Sequence, residues 1–340
     1  MKALDDIVAR AASDPRHVVL AEGEDQRIVR GALAAIRKGV ARITLVGDAR
    51  KVARLVETEG GDPAAFGIED PRRSPRMEAY ISEYHALRRH KGVDEVAARQ
   101  AMGEPLRFAA MMVRRGDADG AVGGAVATTA ETVRAALQII GKAGGSSIVS
   151  SFFLMMLCEP HHARTGAFIF ADCGLVVEPD AAELADIATA SANSYTVLTG
   201  ARPRVAMLSF STSGSAMHAR VTKIVQATQM VRDAHPELTI DGELQFDAAF
   251  VASVSASKAP GSSLGGEANV FVFPNLEAGN IGYKIAQRIG GATAIGPILQ
   301  GLAKPANDLS RGCSADDVFH LIAVTSLQAA AMAPVPSSLG

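Results

Sequence analysis

Tryptophan is absent from this 340-residue chain, and aromatic residues make up only 5% of it. A core built on large rings is therefore excluded, and small, closely packed side chains must supply it. Three cysteines, none in a Cys-x-x-Cys spacing, exclude a disulfide framework or a zinc knuckle and fit a reduced compartment. The formal net charge is -2, which excludes a broad nucleic-acid footprint; an anionic ligand must be met by local arginines. No apolar run approaches the ~20 residues that span a bilayer, the longest being residues 152–158. Residues 1–14 mix charge with alanine and lack the apolar centre of a secretory leader. There is no internal repeat of 20–50 residues. These absences point to a cytoplasmic protein without membrane or nucleic-acid partners.

What is present is an α/β pattern. Hydrophobic residues reach 48%, and 32 glycines fit tight turns and close helix–sheet contacts. Short apolar runs at residues 17–21, 42–46, 66–69 and 120–123 alternate with amphipathic helical stretches, which implies βαβ units and a mostly parallel sheet. Gly144-Gly145-Ser146-Ser147 reads as a hinge. Beyond it, residues 148–157 and 167–171 are expected to pair as an antiparallel hairpin. Helices are expected at 180–199, 218–235, 247–254 and 278–289, with strands at 204–209, 239–244 and 269–273. Residues 334–340 read as a frayed end. The expected division is 1–145 plus 300–340 as a first α/β domain and 146–299 as a second.

The densest chemistry lies at residues 304–317, read as one strand-to-helix loop after the apolar run 292–302. Ser310, Arg311, Gly312, Cys313, Asp316 and Asp317 gather there. Open α/β sheets bind ligands at such loops, and a helix start favours an anion. Ser314 and Asp317 also have the spacing of an N-cap pair, so a structural role for Asp317 competes with a catalytic one. Cys313 reads as a compact buried thiol, with no histidine base beside it in sequence. His161-His162 read as turn or surface residues, on the ground that neighbours on a strand point apart, and no metal ligand set is expected.

Several stretches together resemble the phosphate acetyltransferases (phosphotransacetylases), a family that includes phosphate butyryltransferases. They are Leu87-Arg88-Arg89-His90-Lys91-Gly92, Gly116-Asp117-Ala118-Asp119-Gly120, Thr128-Thr129-Ala130-Glu131-Thr132-Val133-Arg134, Phe170-Ala171-Asp172-Cys173, residues 207–215, Asp241-Gly242-Glu243-Leu244-Gln245-Phe246-Asp247, residues 273–288 and the 304–317 loop. The resemblance runs in order over residues 18–328. It implies two α/β domains of isocitrate/isopropylmalate dehydrogenase-like architecture, an active site in the interdomain cleft, and a homodimer through the second domain. It also implies interconversion of acetyl-CoA plus phosphate with acetyl phosphate plus CoA, with CoA as a substrate and no cofactor. By position, Asp317 matches the acceptor of the thiol proton, while Ser310 and Arg311 match residues set against the acyl phosphate and oxyanion. Arg88 and Arg134 match arginines associated with CoA and its 3′-phosphate, and Arg27 matches a further active-site arginine.

The chain departs from the family pattern at Ser213, where lysine is common, at Gly123 and Ala127, and at Glu178. Three other readings compete. One is a preference for propionyl or butyryl groups. Another is a non-catalytic acetyl-CoA-sensing module like those fused to malic enzymes. The last is a metal- and NAD(P)-dependent decarboxylating dehydrogenase, for which neither the aspartate set nor the nucleotide loop is evident.

Overall fold

The strands of the computed structural model, which describes residues 2–333, are β1 (Arg16–Leu20), β2 (Ala41–Val46), β3 (Gly67–Glu69), β4 (Gly120–Gly123), β5 (Ser150–Leu157), β6 (Gly166–Ala171), β7 (Arg204–Leu208), β8 (Thr239–Leu244), β9 (Val270–Val272), β10 (Thr293–Gln300) and β11 (Ala306–Asp308). The chain divides into two units, one formed by Ile7–Gly144 with Leu302–Gly340 and the other by Met1–Asp6 with Gly145–Gly301. The expected end at residues 334–340 lies outside the described residues. Among those described, no helix is long and apolar enough to cross a membrane.

In the first of these units the sheet order is β11-β4-β1-β2-β3, and every pairing is parallel. The carboxyl ends of β1, β4 and β11 therefore emerge side by side at one edge. Each strand turns there into a helix whose first N–H groups are capped by a side chain. Asp25 caps Gln26–Arg37, Thr128 caps Thr129–Ile139 and Ser314 caps Ala315–Met332. The last of these helices is buried along most of its length, with Val318, Leu321, Ile322 and Val324 at 2% exposure or less. Burying side chains of this size contributes ~1.5–3 kcal/mol each relative to leaving them in water, before entropy is counted. Helix Gln26–Arg37 comes so close to it that a Cβ at Gly31 would sit 2.6 Å from Val318.

In the other unit the order is β10-β5-β6-β9-β7-β8. β10, β5 and β6 are antiparallel and the rest parallel, so the expected hairpin is present on an otherwise parallel sheet. Its core gathers five of the chain's phenylalanines, Phe153, Phe168, Phe170, Phe271 and Phe273, packed together.

Four details differ from the sequence expectation. The apolar run 292–302 is mostly β10 of the second sheet, and the strand that delivers the 309–314 loop is the short β11, whose Ala-Asn-Asp sequence has no strand signature. The helix expected over 247–254 is split into Phe246–Phe250 and Ala252–Lys258, because the β-branched Val251 turns extended (φ -116°, ψ 116°). A helix at Lys2–Ser13 was not expected, although Leu4, Ile7 and Ala11 fall on one helical stripe and are all buried. His161 and His162 lie in the turn between β5 and β6, as expected, but their rings do not point apart, the centroids being 4.4 Å from each other. Both rings face one carbonyl, with Nε2 atoms 2.9 and 2.8 Å from Gly290 O.

Candidate active site

The loop at the end of β11 is a tight turn. Leu309 N–H donates to Gly123 O at 2.7 Å, fixing the loop to the end of β4. Cys313 N–H donates to Ser310 O at 2.9 Å, and Gly312 N–H donates to Ser310 Oγ at 3.2 Å. The turn leaves the side chains of Ser310 and Arg311 exposed and buries Cys313. Ser314 and Asp317 form the expected cap: Ser314 N–H and Oγ–H both donate to Asp317 Oδ2, at 2.8 and 2.9 Å. Both bonds use Oδ2, so Oδ1 of this half-buried residue keeps no protein donor. The cap therefore does not consume the whole carboxylate.

Arg27 sits beside this turn with every donor committed. Its Nε and Nη2 grip Asp25 at 3.0 and 2.8 Å; Nη2 also donates to Ala125 O at 2.7 Å. Its Nη1 donates to Arg311 O at 2.6 Å and to Cys313 O at 3.4 Å. The hydrogen bonds from Arg27 hold the Asp25 carboxyl below its ordinary range. Next to it, the Glu22 carboxylate accepts from three successive backbone N–H groups, those of Ala125, Val126 and Ala127, at 2.7–3.1 Å. A Cβ at Gly123 would come within 2.6 Å of the end of the Leu106 side chain and 3.2 Å of Ala21 Cβ.

Arg134 behaves differently. It lines a cavity of about 770 Å³ above the carboxyl ends of β1, β2 and β4, whose charged wall includes Glu22, Glu24, Asp25, Glu104, Arg107 and Glu131. Glu24 is paired with Lys51, Asp25 with Arg27 and Glu104 with Arg107. Glu131 is spent on the Thr128 cap, whose N–H and Oγ–H both donate to it at 2.8 Å. The Arg134 guanidinium makes no hydrogen bond within the described chain, so it is the wall cation left available to a ligand. The Glu131 carboxyl is held below its usual value first by the Thr128 N–H, with smaller contributions from Arg134 and Arg311. Both arginines thus act on one carboxylate.

Arg88 stands apart. It ends the helix Met77–Arg88, and its Nε is buried with no partner. No described contact joins it to Arg134 or Arg311.

Sequence reading passed over Asp308, two residues before Ser310. It is fully buried, and neither carboxyl oxygen has a hydrogen-bond partner. Oδ1 lies against Gly124, whose φ of 96° and lack of a Cβ leave room for it; a Cβ there would be 2.1 Å away. Burial pushes the carboxyl from 3.8 up to about 6, with the Thr129 and Thr132 hydroxyls pulling the other way. A raised folded value means that the stability it contributes is complete below ~4 and is lost as pH rises through ~6. Asp308→Asn should therefore raise the thermal midpoint at pH 7.5, by at most ~3 kcal/mol in stability, and change it little at pH 4. An equal effect at both pH values would contradict this.

At Cys313 burial raises the thiol above its ordinary value, Arg27 lowers it and Asp317 raises it again. The first of these is the largest, which disfavours a resting thiolate.

A family model described as phosphate acetyl/butaryl transferase matches residues 2–326. A phosphate acetyltransferase from Paracoccus denitrificans is 52% identical over 328 residues, 96% of this chain and 99% of the relative. One from Acetivibrio thermocellus is 46% identical over 331 residues, 97% of this chain and 98% of the relative. Among solved structures, a phosphotransacetylase from Streptococcus pyogenes superposes with a TM-score of 0.91 at 40% identity, over 97% of this chain and 98% of that one. A phosphotransacetylase from Staphylococcus aureus superposes at 0.88 and 41% identity, over 96% and 98%.

Proposed function

Because the chain belongs to the phosphate acetyl/butaryl transferase family, we propose that it moves an acetyl group between CoA and inorganic phosphate, acetyl-CoA + phosphate = CoA + acetyl phosphate. The observation that carries this reading is the turn after β11. It exposes Ser310 and Arg311 at a helix start and sets Asp317 in the first helical turn with one carboxyl oxygen free.

In this reading the CoA sulfur attacks the carbonyl carbon of acetyl phosphate and its proton passes to Asp317. A C–S bond forms, the oxyanion meets Arg311 and Ser310, and the C–O bond to phosphate then breaks with phosphate taking the electron pair. A guanidinium suits both charges because it stays protonated at any working pH. Transfer is direct, without an acyl-enzyme; the burial that raises the Cys313 thiol supports this. Arg88 and Arg134 hold CoA. The Arg134 guanidinium lines the cavity without a protein partner, which suits a ligand phosphate, and Arg88 is assigned by its match to the family pattern.

Acetyl is favoured over longer acyl groups by the relatives at 52% and 46% identity, both phosphate acetyltransferases. One or two extra methylenes are worth only ~1–3 kcal/mol in a pocket, so steady-state rates with acetyl, propionyl and butyryl phosphate are the direct test. Fastest turnover of butyryl phosphate would overturn the acetyl assignment. Arg134→Ala should raise the KM for CoA by roughly tenfold or more, as expected for a lost charge-assisted contact, with a smaller change for 3′-dephospho-CoA. Equal penalties for the two ligands would remove Arg134 from the 3′-phosphate.

The proposed setting is the cytoplasm and the proposed assembly a homodimer through the unit that contains β5–β10. The support for a dimer is an apolar stripe on the helix Leu276–Arg288 and its cap, where Ile281, Ile285 and Ile289 are 59%, 53% and 83% exposed. Sedimentation at the mass of one chain would remove the dimer.

A further inference from the structure

We propose that Arg27 is a positioning residue that clamps the catalytic turn, rather than a group that grips the substrate. The inference rests on the acyl-transfer reading above and refines it. A guanidinium has five N–H donors. In Arg27 these meet five protein acceptors: both oxygens of Asp25 and the carbonyls of Ala125, Arg311 and Cys313. No donor remains for a substrate oxygen.

The acceptors belong to three loops that are remote in sequence and adjacent in space. Asp25 follows β1, Ala125 follows β4, and Arg311 with Cys313 follows β11. The Arg311 carbonyl that Arg27 holds belongs to the residue whose side chain faces the reaction. Fixing that peptide, with the Ser310 turn closed by Cys313 N–H and Gly312 N–H, sets the direction in which Ser310 and Arg311 project. The Ala125 end is fixed in turn by Glu22, whose carboxylate occupies the three N–H groups of residues 125–127. Asp25 orients the guanidinium by a two-pronged ion pair. Lysine cannot reproduce this fork, since an ammonium carries three donors on a single atom.

The test uses the full chain with Arg27→Lys and, as an independent route to the same clamp, Asp25→Asn. Both variants should lower kcat by ~10–100-fold, the scale of a misplaced catalytic group, with the KM for CoA and for acetyl phosphate within ~3-fold of wild type. In the absence of any substrate, amide exchange should speed up in the segment 309–314 and stay unchanged in the β1 and β2 strands. A KM for acetyl phosphate that rises while kcat holds would overturn the proposal, because Arg27 would then grip substrate directly. So would unchanged exchange at 309–314, or exchange raised throughout the unit, which marks a general loss of stability. A wild-type protein without acetyl transfer would defeat the acyl-transfer reading instead, and the exchange arm would still decide the clamp.

Discussion

Asp317→Asn is expected to reduce turnover by ~10²–10⁴ while leaving the KM for CoA nearly unchanged, the signature of a group that acts in the transition state rather than in binding. The substitution is a sharp one because it separates the observed cap from the proposed catalytic role of Asp317. As the third helical residue it accepts both the N–H and the hydroxyl of Ser314. An asparagine oxygen can still accept those bonds, so the helix start survives and the stability cost should stay near or below the ~1 kcal/mol typical of a weakened cap. A variant that folds and keeps turnover within a few-fold of wild type would reduce Asp317 to a cap.

The assignment has to overcome an energetic obstacle. A reference carboxyl near 4 and a thiol near 8.5 differ by enough to make complete proton transfer uphill by roughly 6 kcal/mol. The arginines narrow this gap. Arg311, exposed on the turn, and Arg134 on the cavity wall favour both thiolate and oxyanion, so proton transfer can proceed with attack instead of before it. The carboxylate then needs only to accept a proton already loosened by positive charge.

The layering of the first sheet was readable around β1, β2 and β4 because each of these strands is followed by a side chain that caps the next helix. Asp48 accepts from the N–H groups of Arg50 and Lys51, and Thr128 and Ser314 do the same at their helices. The hairpin was readable too, since residues 150–157 form an apolar run with no helical period. β11 was not. Its strand character comes from pairing with β4 and from burial, not from propensity: Asn307 is held inside by bonds to Thr325 and Gln328. Asp308 was missed for a related reason, because a carboxylate in a polar loop sequence gives no sign that it will be wholly buried. Arg27 could be picked out by resemblance, but the destination of its five donors depends on loops almost 300 residues apart. Arg134 was likewise picked out by resemblance, and the structure adds the capping box of Thr128 and Glu131 that fixes the register of its helix.

Direct attack is the claim on which the rest depends, and isotope exchange tests it without a mutation. Incubating the protein with acetyl phosphate and labelled inorganic phosphate in the absence of CoA asks whether an acetyl group can leave phosphate for the enzyme itself. Transfer straight to the CoA sulfur predicts no label in acetyl phosphate until CoA is added, then rapid incorporation. Label appearing at a catalytically competent rate without CoA would mean that a protein nucleophile takes the acetyl group, and would contradict the account.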